Sequence, residues 1–83
     1  MAGEKQIGEV IHYFDHIGVA VVKFSSNCNV GDEIHFLGHG ADFVQKIESM
    51  QKEHEQVEKA GKGDELGMKV DQKVKEETKV YAV

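Results

Sequence analysis

Two short runs, Gly31-Asp32-Glu33-Ile34 and Gly63-Asp64-Glu65-Leu66, share one grammar, and they constrain the fold more than any other feature of the chain. Gly adopts backbone angles closed to other residues, and Asp folds its carboxylate back onto nearby amides, so Gly-Asp suits a tight turn. Behind each turn the apolar residues alternate, Ile34 and Phe36 against His35 and Leu37, then Leu66, Met68 and Val70 on one face. The pair reads as one turn used twice to open a strand. From Ile7 to Phe24 the chain is rich in Val, Ile, Phe and Tyr, and Gly18 interrupts it where two strands need a turn. The first of these strands is expected to put Val10, His12 and Phe14 on one face and Ile11, Tyr13 and Asp15 on the other. The second opposes Ala20, Val22 and Phe24 to Val19, Val21 and Lys23. Residues 25–29 read as a polar loop, Gly38-His39-Gly40 breaks the third strand, and a charged connector over 71–77 leads to a closing strand at 80–83.

One stretch resists this reading. Phe43, Ile47, Met50, His54, Val57 and Ala60 fall at helical spacing, with Asp42 placed to cap the start and Gly61 to end the helix. The competing reading is a strand from about Phe43 to Glu53 followed by a turn. The residues alone leave both open.

At 83 residues, 40% of them hydrophobic, the chain has material for one core and is expected to be a single domain over 1–83, with 1–6 a flexible tail. Fifteen acidic side chains face ten basic ones, all Lys, for a net charge of -5. Generic nucleic-acid binding rests on Lys and Arg displacing counterions, so a basic footprint here has to be local. Cys28 is alone, which excludes an intramolecular disulfide and fits a reducing cytoplasm. The opening residues carry no apolar run of signal-peptide length, and no stretch reaches the roughly 20 apolar residues that span a bilayer, so no membrane role is expected.

Chemistry finds little foothold. The pairs His12/His16 and His35/His39 are four residues apart, a separation of about 13 Å on a strand, too far for one metal ion, so the histidines read as surface or hydrogen-bonded. Cys28 sits in a polar loop without an activating base in sequence, and no Ser occupies a nucleophile elbow. Asp15/Asp32 and Glu48/Glu65 read as solvated charge rather than acid-base pairs. Gly61-Lys62-Gly63-Asp64 is no phosphate loop, because Asp64 stands where Lys and a hydroxyl belong. No catalytic residue, cofactor or metal site is expected.

Taken in order, Gly8-Glu9-Val10, Ile17-Gly18-Val19-Ala20-Val21-Val22, Val30-Gly31-Asp32-Glu33-Ile34, Ile47-Glu48-Ser49-Met50-Gln51 and Ala60-Gly61-Lys62-Gly63-Asp64-Glu65-Leu66-Gly67-Met68 form a pattern that resembles the second, β-barrel domain of translational GTPases such as elongation factor Tu, most closely the small stand-alone elongation factor-like proteins. The resemblance implies an all-β fold, a single closed antiparallel barrel of about six strands. It also implies that 47–51 is a strand. The GTPase domain that precedes such barrels is missing, so GTP binding is not inherited. What the resemblance implies instead is a non-enzymatic, translation-associated module contacting RNA, the tRNA acceptor end or the ribosome. Its binding rim maps to Lys23, Ser25 and Asn27 on one side and to Glu48, Glu65 and Leu66 on the other. A similar barrel is appended to some collagenase-like peptidases that act on RNA modification. The second expectation is therefore a protein-interaction accessory subunit of an RNA-modifying or peptidase-like enzyme, favoured by the acidic balance and the absence of Arg.

Overall fold

The structure, a computed structural model, describes residues 5–53 and 55–83. Among the described residues there is no helix; the strands are β1 (Lys5–Phe14), β2 (Val19–Phe24), β3 (Cys28–Asn29), β4 (Glu33–Gly38), β5 (Ala41–Lys46), β6 (Met50–Lys52), β7 (Glu55–Val57), β8 (Lys59–Ala60), β9 (Glu65–Lys69) and β10 (Lys79–Ala82). Eight of them form one antiparallel sheet in the order β5, β4, β10, β1, β2, β9, β6, β7, while β3 and β8 pair as a separate ribbon. Alternation decides the core. Ala20, Val22 and Phe24 of β2, Ile34 and Phe36 of β4, Leu66 and Met68 of β9 and Val80 of β10 are each no more than 1% exposed. Phe36 and Phe43 are cross-strand partners whose rings stack 5.0 Å apart, a contact worth about 0.5–1.5 kcal/mol beyond its buried area.

The two Gly-Asp runs are one device used twice. In the first, the Asp32 carboxylate accepts the Asn29 amide at 2.8 Å and the Asp32 amide donates to the Asn29 carbonyl at 3.1 Å. In the second, Asp64 makes the same pair with Gly61, at 2.8 and 3.0 Å. Gly31 and Gly63 hold φ of 98° and 90°, which an L side chain rarely adopts. Each turn then clasps a distant strand end. The Gly31 amide donates to Ile47 and the Ile47 amide to Asp32; the Gly63 amide donates to Phe24 and the Phe24 amide to Asp64. The β3–β8 ribbon joins the two turns, pairing Cys28 with Ala60.

Three expectations need correction. The faces of β1 are not those of simple alternation, because the register slips between Val10 and His12, leaving Ile11 as a bulge. Val10 is fully buried while His12 and Phe14 are exposed, and Tyr13 packs against the core. Residues 42–61 contain no helix among the described residues (His54 lies outside them), and the strand expected from Phe43 to Glu53 is two, β5 and β6. Phe43, Ile47, Met50 and Ala60 are inward residues of successive strands and turns, so their helical spacing is overridden by tertiary pairing. Cys28 and Asn29, placed in a loop by composition, are paired as β3. Of the expected tail, 1–4 lie outside the described residues, while Lys5 and Gln6 are paired with Ala82 and Tyr81.

The larger correction is closure. The expected closed barrel of about six strands is instead a sheet that ends at β5 on one side and at β7 on the other, with no ladder joining them among the described residues. β7 is only three residues long, and at Ile47 the chain leaves β5 to serve the Asp32 turn. On its open side β5 reaches the end of β9 and the connector through one of its own side chains. Gln45, 6% exposed, donates from Nε2 to the Lys69 carbonyl at 3.0 Å and accepts the Asp71 amide on Oε1 at 2.8 Å. The connector from Asp71 then reaches the β4–β5 turn, where buried Thr78 accepts the Lys75 amide and donates to the Gly38 carbonyl. Val74 between them is 3% exposed. Gln45→Leu keeps the volume and strands both backbone groups, so it is expected to cost about 2–4 kcal/mol and lower Tm by about 10–25 °C. The exposed neighbour Val44→Thr is expected to stay within about 0.5 kcal/mol. Paired thermal melts check this; a Gln45→Leu melt matching wild type contradicts it.

Candidate interaction surface

The residues expected to form a binding rim divide between the two Gly-Asp turns. Lys23 is an exposed residue of β2 in register with Glu9 on one side and Glu65 on the other, so its ammonium lies between two carboxylate-bearing positions. Ser25, exposed, donates its amide to Ile7 just past the end of β2, and the Asn27 side chain lies near Gly61. The hollow that Lys23 and Ser25 line with Glu9 holds about 150 Å³, below the roughly 300–1,000 Å³ of small-ligand pockets. Glu48 belongs to the other turn, where it lines a hollow with Val30 and Glu58; two carboxylates there oppose a phosphate. Leu66 is 1% exposed, a core residue with no surface to offer. Lys23, Ser25 and Glu65 are thus brought near one another, Glu48 is set apart, and Leu66 is taken inside.

Two titratable groups at the turns are shifted. Burial pushes the Cys28 thiol up to about 11, and the Asp32 carboxylate adds in the same direction. A thiol so placed is a poor nucleophile at neutral pH. The Gly61 amide holds the Asp64 carboxyl below its ordinary value; partial burial opposes this, and Lys52, 3.4 Å away, reinforces it. Among the described residues no three His, Cys, Asp or Glu side chains gather to hold a metal ion. The histidines there are paired instead: His12 with Glu76 at 3.4 Å, His16 with Asp15 at 3.8 Å, His35 with Asp42 at 2.6 Å and His39 with Glu77 at 3.8 Å.

A larger hollow lies at the other end of β4. Tyr13 and Asp15 from the end of β1, His39 and Gly40 from the β4–β5 turn, and Lys73, Val74 and Lys75 from the connector enclose about 530 Å³. Gln45 and Thr78 fix the connector at its two ends, so the polar contacts that hold the fold also shape this wall. The apolar surface comes from Tyr13, backed by Val74 at 3% exposed. Lys73 and Lys75 make no ion pair among the described residues. Sequence reasoning missed this site because the connector reads as solvated charge. Its one signal was Val74, an apolar residue flanked by lysines inside that charged run. The β1–β2 hairpin that carries Tyr13 and Asp15 also carries the exposed Phe14 and Ile17.

The fold is shared with a known domain. The selenomethionine variant of the C-terminal domain of a Geobacillus thermoleovorans protein assigned as a U32 peptidase superposes with a TM-score of 0.87 at 24% identity, covering 92% of this chain and 96% of that one. A second structure of that domain gives 0.86 at 24% identity, covering 92% and 89%. At this identity the likeness shows the fold alone. The chain matches no protein-family model, and no curated protein matches it. The resemblance to the second domain of translational GTPases is thereby corrected: the structural neighbours are a peptidase-associated domain, not a translation factor. The motifs that suggested it are short strand-opening turns, which specify a local hydrogen-bond pattern rather than a lineage.

The pKa shifts fix the direction of two pH effects. Cys28 is raised in the folded state, so its contribution to stability is complete below the ordinary 9.0 and is lost as pH rises toward about 11. Asp64 is lowered, so its contribution is complete above the ordinary 3.8 and is lost as pH falls below it. In melts across pH, Cys28→Ala is expected to flatten the alkaline decline and Asp64→Asn the acid one. Unchanged limbs in either variant contradict the assignment.

Proposed function

We propose that the chain is a non-catalytic interaction module that acts as one unit with, or as part of, a peptidase-like protein in the cytoplasm. The observation that carries this reading is the match of nearly the whole chain to nearly the whole of a U32 peptidase's C-terminal domain, 92% against 96%. Electrostatics supports it. A net charge of -5, no Arg, and a rim lysine between Glu9 and Glu65 disfavour a phosphate backbone and suit a protein surface. The single buried, unpaired Cys28 fits a reducing compartment. Among the described residues no helix is long and apolar enough to cross a membrane.

The module's contact surface is the end that carries the hollow and the β1–β2 hairpin, because Phe14 and Ile17 there are 45% and 63% exposed beside charged groups. The test is calorimetric titration of this protein into a U32-type peptidase of the same organism, with a CCA-ended RNA oligonucleotide as comparison. Saturable binding to the peptidase, weakened at least about threefold by Phe14→Ser with Ile17→Ser, is expected, with no heat from the RNA. Binding of the RNA with none of the peptidase overturns the reading.

A further inference from the structure

The 530 Å³ hollow is large enough for a small ligand, and its walls differ in kind. One is apolar, the ring of partly buried Tyr13, backed by Val74 of the core at 3% exposed. Another carries two ammonium groups, Lys73 and Lys75, with no carboxylate partner among the described residues. The amides of Lys73 and Val74 likewise donate to no protein acceptor among the described residues. The carboxylates nearby have partners of their own: Asp15 has His16, and Glu76 and Glu77, which border the adjoining hollow, have His12 and His39. Among the residues that line the hollow two ammonium groups stand against one carboxylate, Asp15, in a chain whose net charge is -5. At Gly40 nothing lies within 4 Å of where a Cβ would stand, so the turn leaves the mouth open.

A ligand that satisfies both walls carries a carboxylate next to an apolar group. We propose that the hollow binds the free C-terminus of a peptide, its carboxylate held by Lys73 and Lys75 and its terminal apolar side chain lying on the ring of Tyr13. Ammonium groups and unpaired amides are a recurrent means of capturing a terminal carboxylate. This deepens the interaction-module reading by naming what the surface recognises, and it fails separately from it, since the peptidase titration does not involve a free peptide. Asp15 works against the anion from the rim.

The test is titration of isotopically labelled protein, at low salt, with acetyl-Ala-Leu as the free acid, as its amide, and with an amidated peptide ending in Glu. Saturable amide shifts at Tyr13, His39, Gly40 and residues 73–75 with the free acid alone are expected. Lys73→Ala and Lys75→Ala are expected to weaken binding about two- to fivefold each, the range of exposed ion pairs, and Asp15→Asn to strengthen it by a similar factor. Equal shifts with the Leu amide overturn carboxylate recognition. Equal shifts with the Glu peptide overturn the C-terminus as its source. Shifts absent, or centred on Lys23 and Glu65, overturn the site.

Discussion

The carboxamide of Gln45 does the work of two residues of a β-strand. It offers one donor and one acceptor to the Lys69 carbonyl and the Asp71 amide, the pair a neighbouring strand would otherwise satisfy. Gln45 is 6% exposed, so its own carboxamide cannot turn to water, and an unmade buried hydrogen bond costs about 1–3 kcal/mol. A closed barrel distributes that need along a ladder. Here the sheet ends at β5 and β7, and one side chain with a connector meets it locally. Val74 fills the apolar space behind, and Thr78 ties the far end to Gly38.

The hollow follows from the same arrangement. Its Lys73–Lys75 wall exists because the connector is held at Asp71 and again at Thr78, and those contacts run to β5 and to the β4–β5 turn. The two Gly-Asp turns do the corresponding job at the opposite end, each binding a strand end through a pair of backbone hydrogen bonds. One end of the molecule is thus closed by duplicated backbone turns, with Lys23 in register with Glu65 and Lys46 with Glu33. The other is closed by side chains and leaves a polar hollow with apolar walls.

Much of the fold was legible in the sequence where short-range chemistry dictates it. The equivalence of Gly31-Asp32 and Gly63-Asp64 could be read because Gly and Asp are chosen for backbone angles and amide capture, and the inward set Ala20, Val22 and Phe24 because strand periodicity is two. The bulge at Ile11 could not, since any residue can be the unpaired one and the slip shows only against β2. Gln45 looked like a polar residue at an ordinary position, its meaning set by Asp71, 26 residues away. The setting of the candidate rim residues depends on register in a related way. Lys23 is a cation in sequence, but its register between Glu9 and Glu65 decides its field, and Leu66 was drawn inward by the alternation that the sequence itself displays. The order of the turns suggested a translation-factor barrel, while the arrangement of the strands is that of a peptidase-associated domain.

Amide hydrogen exchange resolved by residue tests the account most directly. Ile47 donates to Asp32 across the end of the β4–β5 ladder, and alternation then points the Phe43 and Gln45 amides at β4 and those of Asp42, Val44 and Lys46 at the open side. The account predicts slow exchange at Phe43, Gln45 and Asp71, the last protected by the Gln45 side chain alone, and fast exchange at Asp42, Val44 and Lys46. Protection of Asp42, Val44 and Lys46 equal to that of Phe43 would mean a strand pairs with β5, and together with fast exchange at Asp71 would contradict the clasp.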